Sequence, residues 1–482
     1  MTRQAPRKSL LLILILAYSL IVLCWGLARS PFTTTEAKNI YIGRGLTTAG
    51  NTGWSGPAGE ITSVQQGAYS IAPLIISGAE RYTGFYGSRF VSVMLGLLLV
   101  LLIFLTGNTS LYGKRGLLAA ITFVFLGIPL QLSAFATSTP YTALFFAASI
   151  LLIEAAAETA SYRRRILMLL FSSLSLTAAV TMNYISMLFL VPLVLYVFLR
   201  HRFLHAGGFF LLPLAAALSV YDTAILPAGA SIGSSLAFPL SHASADMLSS
   251  LNFTYIFNWL SMPYLLAIFG IFHREGGKKA FFAMLLSLPA FLVNFIDPDL
   301  NATHLAVLLA TIFMAPAAAL GIDHMGDIFS SHNPMASVKS LFIFAVLLVL
   351  WVFGLQQIKE LNRNNPDLTD AVGFLRARNL DGVTILVDSD YGSPEYFYRY
   401  FLESGSRPPQ VLPVVRATGE ERKQVVAATR PEYVVLDDYH SDRSFTLASL
   451  DYLSQGFTVA KTYQMSLSSG IRTVKIFHKG VL

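Results

Sequence analysis

The sequence has 482 residues, of which 54% are hydrophobic and only 13% are charged. A soluble chain of ordinary composition carries about 25% charged residues, so this composition excludes a soluble globular protein and predicts a polytopic α-helical membrane protein. The formal net charge of +7 comes from basic residues in separate clusters beside apolar runs. A nucleic-acid partner would need one continuous basic patch, so no nucleic acid is expected as a partner.

Long uncharged runs recur along the chain, each about 17–21 residues and able to cross a hydrocarbon core of about 30 Å. The first run is too long for a signal-peptide core, so we expect it to be retained as an anchor. We predict about eleven membrane spans, of which 184–200 and 259–272 are the least secure. The spans are 9–28, 90–107, 116–133, 140–157, 166–181, 184–200, 207–227, 259–272, 280–296, 303–321 and 340–357.

The distribution of Lys and Arg predicts the orientation. With a cytoplasmic N-terminus, the basic clusters fall in alternate inner loops. The short outer loops contain neither Lys nor Arg: 134–139, 182–183, 228–258 and 297–302. This asymmetry follows the positive-inside rule. It predicts a multi-pass protein of the plasma (inner) membrane, with both the first long loop and the C-terminal region extracytoplasmic, in the periplasm.

The chain divides into a membrane domain, 1–358, whose first extracytoplasmic loop is 29–89, and a C-terminal domain, 359–482. In the C-terminal domain, the β-branched segments 383–390 and 432–438 predict buried strands, with 410–415 as a weaker third. Segments with helical spacing alternate with them, which indicates a small α/β domain with a largely parallel sheet. The last two apolar segments, 457–466 and 471–480, predict an antiparallel pair.

The start of the first loop combines two signals. Thr33 and Glu36 have the spacing of a capping box, in which each side chain bonds the backbone amide of the other residue. Ala37, Ile40, Tyr41 and Arg44 follow at helical spacing, which predicts an amphipathic helix on the outer membrane surface.

Two segments of the N-terminal half carry a family resemblance. TEAKNIYIGRGL (35–46) places Glu36, Ala37 and Arg44 where that family has the Glu and Ala of an acidic Asp-Glu-Ala opening and a helix-ending Arg. AYSIAPLIISGAERYTGFYGSRFVSVMLGLL (68–98) matches its next motifs at Pro73, Leu74, Gly84 and Arg89. Over roughly residues 1–200 the chain resembles the lipid-linked-sugar-dependent glycosyltransferases of the GT-C fold. Within them it is most similar to the aminoarabinose transferases and protein O-mannosyltransferase relatives.

The resemblance implies transfer of a sugar, with inversion, from a polyprenyl-phosphate donor to an extracytoplasmic acceptor that is a lipid, a glycan or a protein. Membrane lipids are the other expected partners. Glu36 is then the expected general base. Arg44, Arg81 and Arg89 are the expected cations for the departing phosphate, and Lys38 and Tyr41 are further substrate-binding candidates. Anchoring to anionic lipid is the alternative role for each arginine.

Three departures from the family pattern leave other functions open. Thr35 stands at the position of the family aspartate, Ile71 and Ala72 replace a His-Pro pair, and Met182-Asn183 replaces a frequent lysine. A catalytically degenerate binding protein of the GT-C type is therefore one alternative. A transporter or flippase of lipid-linked glycans is another, although the sequence shows no internal repeat of the kind that transporters carry.

Three polar residues outside these segments are secondary candidates. Asp222 lies within a predicted span, where a carboxylate is a functional candidate by default. Asp297 and His304 lie on a predicted outer loop, with Asp299 between them in sequence. Their spacing is not diagnostic of a metal site, so we predict no metal ligands and no cofactor, and leave a divalent ion as an open alternative.

Overall fold

The computed structural model of the chain describes residues 5–29, 33–48, 71–109, 115–225, 251–273, 276–293, 300–331, 336–364, 367–378, 380–389, 395–402, 408–415, 419–438, 443–467 and 470–480. The chain forms two compact units. The first, here called the membrane unit, comprises Met1–Arg29 and Leu46–Ile358. The second, here called the α/β unit, comprises Ser30–Gly45 and Lys359–Leu482. The segment 30–45 thus groups with the C-terminal region, which differs from its assignment to the first domain by sequence position.

Helices make up the first part of the chain. Their bounds are α1 (Ala5–Arg29), α2 (Thr34–Thr48), α3 (Ala72–Gly107), α4 (Gly116–Phe125), α5 (Ile128–Leu132), α6 (Ser138–Glu158), α7 (Tyr162–Met182), α8 (Leu190–Arg200, after a 3₁₀ turn Tyr184–Phe189), α9 (Phe203–Ala206), α10 (Leu212–Val220), α11 (Leu251–Ile271), α12 (Gly277–Ser287), α13 (Leu300–Ser331) and α14 (Ala336–Asn364). π-Helical turns, Gly207–Leu211 and Tyr221–Ile225, flank α10.

The apolar helices confirm a polytopic α-helical membrane protein. Among the described residues, six helices are long and apolar enough to cross a membrane: Ala72–Gly107, Ser138–Glu158, Tyr162–Met182, Phe203–Thr223, Ala302–Ser330 and Val338–Asn362. Four shorter apolar helices accompany them: Ser9–Trp25, Gly116–Phe125, Tyr184–Arg200 and Ile256–Ile271. Every predicted span overlaps an observed helix, and the exact number of crossings stays a prediction.

The helix α3 begins 18 residues earlier than the predicted span 90–107, at Ala72. It is interrupted at Gly84, whose φ of 70° and ψ of −178° belong to a region that only glycine occupies readily. The break divides α3 into a shorter N-terminal segment and a second segment long enough to cross a membrane. Arg81 and Arg89, expected in a loop, therefore lie on helix on either side of the break.

The helix α13 forms the centre of the membrane unit, because its whole apolar stretch is buried. It packs closely against α11, and glycines make the close approach possible. A Cβ atom at Gly321 would lie 1.7 Å from the carbonyl oxygen of Leu266, and one at Gly270 would lie 2.9 Å from the carbonyl oxygen of Ala317. The two backbones touch at this crossing, as small residues allow in membrane helices.

Gly321→Ala is expected to destabilise the membrane unit, because the new methyl group meets backbone that cannot rotate away. Overpacking of this kind costs typically about 1–3 kcal/mol. Gly208→Ala is the matched control, since a Cβ atom at Gly208 has nothing within 4 Å. Thermal unfolding of the purified protein in detergent should show a lower midpoint for Gly321→Ala only. Equal midpoints for both variants would mean that the crossing adjusts without strain.

The α/β unit contains one five-stranded sheet of order β2-β1-β3-β5-β4. The strands are β1 (Thr384–Ser389), β2 (Gln410–Val415), β3 (Tyr433–Asp438), β4 (Phe457–Leu467) and β5 (Gly470–Lys479). β1 pairs in parallel with β2 and β3, whereas β5 pairs antiparallel with β3 and β4. The predicted strands, the parallel core and the antiparallel end pair are all confirmed.

Four helices accompany the sheet: α15 (Thr369–Arg376), α16 (Glu395–Leu402), α17 (Gly419–Thr429) and α18 (Arg443–Ser454). The helix α18 was not predicted from the sequence. One core cluster joins α18 to the sheet through Phe445 and Tyr452, which pack with Leu386, Val434 and Phe477. These residues bury one face of the sheet and so fix the helix in place.

Candidate active site

The helix α2 begins with the predicted capping box. The backbone N–H of Thr33 donates to Oε2 of Glu36 at 3.0 Å, and the backbone N–H of Glu36 donates to Oγ1 of Thr33 at 3.2 Å. The Thr33 hydroxyl also donates to Glu36 Oε2 at 3.1 Å. This reciprocal pattern satisfies amides that a helix start otherwise leaves without partners. The capping interpretation is therefore confirmed.

The carboxylate of Glu36 is also removed from solvent. Glu36 is 0% exposed, as are its helix neighbours Ala37 and Ile40. A buried carboxylate is costly unless hydrogen bonds hold it, and the bonds from Thr33 meet part of that need. The side chain is consequently held in one orientation at the start of α2. A general base and a helix cap both need such a fixed orientation.

The other candidate side chains of α2 face the helix α16 of the same unit. The ring of Tyr41 lies 5.7 Å from the ring of Tyr396. The Lys38 ammonium lies 5.9 Å from the Tyr396 ring, and the Arg44 guanidinium lies 5.1 Å from the Tyr400 ring. These distances are typical of cation–π contacts. Lys38, Tyr41 and Arg44 therefore share contacts with aromatic residues of the α/β unit.

The α16 side chains were not predicted as part of the site. The segment EYFYRYFL carries Tyr396, Arg399 and Tyr400 at i, i+3 and i+4, which places them on one face of a helix. An unusually aromatic helix face with one arginine is a signal for a helix partner. Nothing local in the sequence indicates that the partner is α2, more than 350 residues earlier.

The two remaining arginine candidates belong to α3 in the membrane unit. Arg81 is exposed, whereas Arg89 is 1% exposed and its guanidinium lies 4.6 Å from the Phe85 ring and 5.6 Å from the Phe135 ring. The break at Gly84 separates the two. Their contacts differ accordingly: Arg89 is enclosed by aromatic rings, and Arg81 is the one accessible to a ligand or a lipid headgroup.

The two secondary candidates that the structure describes, Asp222 and His304, lie on different helical elements. Asp222 is half-buried in the π-helical turn Tyr221–Ile225. His304 is buried on α13, its ring stacks on Trp259 at 5.2 Å, and its Nε2 has no hydrogen-bond partner in the part of the chain that the structure describes. Asp297 lies outside the described residues.

A different group gathers potential metal ligands. His273, Asp323 and Asp327 offer atoms that all lie within 4.8 Å of one another, and they form the one such group within the described ranges. Lys339 pairs with both carboxylates, at 2.7 Å from Asp323, and Arg115 pairs with Asp323. Burial and the Arg115 guanidinium lower the pKa of the His273 imidazole. The cations already neutralise the carboxylates, so the group fits an ion-pair network rather than a divalent metal site.

The acidic strand ends of the α/β unit are engaged in buried pairs. Asp388, at the end of β1, accepts from Arg422 Nε at 2.8 Å and from the Tyr452 hydroxyl at 2.7 Å. Asp437, at the end of β3, accepts from Arg472 Nε at 2.6 Å. Parallel sheets often bind ligands at this edge, but here the carboxylates serve internal charge pairing. These contacts indicate structural support of the sheet.

Two buried tyrosines of this unit lead us to expect that its stability falls at alkaline pH. Burial, followed by the charge of Asp388, raises the pKa of Tyr452, and burial, followed by the charge of Asp437, raises the pKa of Tyr398. Both values are raised above the unfolded value of about 10, so their contribution to stability is complete below that pH and is lost as pH rises. We expect the unfolding temperature of the α/β unit to fall above about pH 10.

Tyrosinate ultraviolet absorbance, recorded with unfolding, checks this expectation, because the buried tyrosines should ionise only as the unit unfolds. Tyr398→Phe is a suitable variant, since the Tyr398 hydroxyl has no hydrogen-bond partner among the described residues. It should make the alkaline decline shallower at little cost near neutral pH. An identical alkaline profile would exclude Tyr398 as a contributor.

Solved structures provide the comparison for this arrangement, whereas no protein-family model and no curated protein match the sequence. ArnT from Cupriavidus metallidurans bound to undecaprenyl phosphate is 11% identical, with a TM-score of 0.50 over 96% of this chain and 97% of that chain. The Archaeoglobus fulgidus oligosaccharyltransferase in complex with Zn and sulfate is 12% identical, with a TM-score of 0.58 over 89% of this chain and 68% of that chain. The same organism's AglB, in complex with an inhibitory peptide and a dolichol-phosphate, is 9% identical, with a TM-score of 0.56 over 100% and 75%.

The chain has the GT-C fold. The agreement extends over nearly the whole chain, including the C-terminal α/β region, and not only over the first 200 residues that carry the sequence resemblance. At 9–12% identity the comparison establishes the fold, and the predicted fold class is confirmed. Two of these similar structures hold a lipid phosphate: ArnT is bound to undecaprenyl phosphate, and AglB is in complex with a dolichol-phosphate.

Proposed function

We propose that this GT-C chain is an integral-membrane glycosyltransferase that moves a sugar from a polyprenyl-phosphate donor to an extracytoplasmic lipid, glycan or protein, with inversion at the anomeric carbon. The observation that carries the proposal is the Glu36 carboxylate, buried and held by hydrogen bonds at the start of the helix that follows the first apolar helix. The GT-C fold, shared with ArnT and AglB, supports the reaction class.

The chemistry needs few groups, because the donor is already activated as a phosphodiester. The acceptor oxygen forms a bond to the anomeric carbon while the bond from that carbon to the phosphate oxygen breaks. The acceptor proton passes to Glu36, and the bonding electrons leave with the polyprenyl phosphate. General-base assistance contributes typically about 10²–10⁴ in rate.

A guanidinium near the leaving phosphate would offset its developing charge. Arg44 and Arg81 are both exposed, so each is a candidate for this role. Arg89 is enclosed by the Phe85 and Phe135 rings, which suits it to shaping the helix beside the break. Arg44 remains a candidate with contacts to Tyr400.

A second function, a non-catalytic GT-C-like protein that binds lipid-linked sugar, is favoured by one specific observation. Glu36 already serves as a helix cap, and the neighbouring position has Thr35 in place of a second carboxylate. A glycan transporter is the third candidate, and no observation in the described residues favours it over the other two.

Mass spectrometry of lipids and surface glycans from cells with and without the gene tests the proposal. A transferase predicts that a polyprenyl-phosphate sugar accumulates in the deletion strain and that one sugar disappears from a surface glycan or protein. Complementation with Glu36→Gln separates the first two candidates, because a binding protein tolerates glutamine at the cap. Loss of a surface sugar without any change in the lipid-linked pool would contradict the proposal and support another role.

The proposal also requires Glu36 and the α/β unit to lie outside the cytoplasm. In a background where Cys24 is replaced by serine, Lys423→Cys should react with an impermeant thiol reagent in spheroplasts, and Arg164→Cys should not. Both positions are exposed, so accessibility alone does not separate them. Labelling at position 164 but not at 423 would invert the orientation and exclude an extracytoplasmic acceptor.

A further inference from the structure

The contacts between α2 and α16 centre on one buried arginine. The Arg399 guanidinium lies 5.5 Å from the Tyr41 ring and 5.7 Å from the Tyr396 ring. Its Nε and Nη2 both donate to the carbonyl oxygen of Val411, at 3.0 and 2.9 Å. Arg399 is 4% exposed. A continuous set of contacts therefore runs from the strand β2 through Arg399 to the ring of Tyr41 on α2.

These contacts matter because α2 has few means of holding its own position. It has 15 residues, which is at the limit of about 12–15 residues below which isolated helices are marginal in water. Its capping box fixes the first turn and not the place of the helix against the rest of the protein. Rigid support must come from tertiary packing, and the sheet of the α/β unit provides a rigid body through β2.

The position of α2 determines the position of Glu36. Tyr41 is five residues after Glu36, which is about 7.5 Å along a helix axis at 1.5 Å per residue. Displacing a reacting group by about 1 Å can lower a rate about 100-fold. Loss of the support at Tyr41 therefore reaches the carboxylate even though α16 residues need not touch substrate.

We propose that Arg399 and Tyr396 are positioning residues that hold α2, and through it the Glu36 carboxylate, against the α/β unit. The kinetic part of this inference rests on the proposed transferase function, and the structural part does not. It assigns the C-terminal unit a role in the reaction, and it assigns Tyr41 to docking the helix rather than to contacting the donor.

The experiment uses the full chain in lipid nanodiscs. Arg399→Gln and Tyr396→Leu remove the guanidinium and the ring, and Tyr396→Phe keeps the ring. Controls come from α15 and the turn that follows it, where the exposed Arg378 guanidinium lies 5.1 Å from the Phe374 ring of α15 and makes a cation–π contact without α2. The controls are Arg378→Gln and Phe374→Leu.

Hydrogen–deuterium exchange of the amides in 33–45 is the first measurement. Positioning predicts exchange at least tenfold faster in Arg399→Gln and Tyr396→Leu, wild-type rates in Tyr396→Phe and in both controls, and unchanged exchange in β1 and β3. Wild-type exchange in 33–45 for both test variants would overturn the inference. Faster exchange throughout the unit would also overturn it, since that indicates general unfolding.

Turnover and affinity form the second measurement. Complementation of the deletion strain reports turnover as the level of accumulated lipid-linked sugar, and undecaprenyl phosphate serves as the probe for binding. We expect turnover to fall at least tenfold while the Kd for undecaprenyl phosphate stays within threefold. A large rise in Kd at unchanged turnover would assign Arg399 to lipid binding and overturn positioning. An inactive wild type would refute the transferase function, and the exchange result would still decide whether Arg399 and Tyr396 hold the helix.

Discussion

Replacing Glu36 with glutamine is expected to lower sugar transfer at least a hundredfold, equivalent to about 2.7 kcal/mol at the transition state. Glutamine keeps the length of the side chain and an oxygen that can accept from the Thr33 backbone amide and hydroxyl, which now bond Glu36 Oε2 at 3.0 and 3.1 Å. It removes the negative charge and the basicity that would take the acceptor proton. Initial rates of transfer, measured with equal amounts of folded protein, check the expectation.

Thr33→Ala is the matched control, because it damages the cap and leaves the carboxylate. The Thr33 hydroxyl accepts from the Glu36 backbone N–H at 3.2 Å, and losing such a cap costs typically about 1 kcal/mol. Stability should fall, and most of the activity should persist because the backbone N–H of residue 33 can still donate to Glu36 Oε2. Thr35→Asp, which restores the family's acidic pair, tests whether a second carboxylate raises the rate. Full activity in Glu36→Gln would end the catalytic assignment and direct attention to Asp222.

Local sequence signals predicted much of the fold. A capping box involves residues three apart, so the spacing of Thr33 and Glu36 was enough to predict their contact. The strand segments of the α/β unit are β-branched and bounded by turns, so 383–390 and 432–438 could be located to within a residue or two of β1 and β3. The hydrophobic length of the membrane helices is equally local. Each of these features depends on neighbours in the chain.

Features that depend on distant neighbours were not predictable in the same way. The partnership of α2 with α16 joins residues near positions 41 and 399, and no spacing in either segment indicates the other. The break at Gly84 needs a backbone conformation that the sequence permits but does not require. The helix α18, which was not predicted, is stabilised by packing of Phe445 and Tyr452 on the sheet.

In the candidate site too, the residues could be predicted from the sequence and their surroundings could not. The resemblance predicted Glu36 and three arginines as residues of one site, because a family motif gives only the positions of residues along the chain. The structure separates their surroundings: Glu36 is capped and buried, Arg44 contacts Tyr400, Arg89 is enclosed by aromatic rings, and Arg81 is exposed. The sequence motif therefore identified candidate residues, and the surroundings of each residue in the structure indicate which role it can perform.

Breaking the buried pair between Asp437 and Arg472 is expected to have the largest effect on stability in the α/β unit. Both residues are 1% exposed, and Arg472 Nε donates to Asp437 Oδ1 at 2.6 Å while Nη2 donates to Oδ2. Removing one partner of a buried ion pair leaves an uncompensated charge, which costs about 3–5 kcal/mol. The α/β unit of Asp437→Ala should therefore unfold at a much lower denaturant concentration than that of the wild type. Proteolysis of the C-terminal region in the full chain, at increasing denaturant concentration, measures this difference.

Two further variants test whether the loss of stability comes from the unpaired buried charge. Replacing both members with apolar residues, Asp437→Leu with Arg472→Met, removes the unpaired charge and should recover most of the stability, because desolvation of a buried pair offsets much of its attraction. Glu420→Gln breaks the exposed pair with Lys423, which is 2.8 Å long, and should have no measurable effect since solvent screens it. If Asp437→Ala and Glu420→Gln unfolded at the same denaturant concentration, the strand-end carboxylates would not be structural supports, and ligand binding at that sheet edge would become the better explanation of their burial.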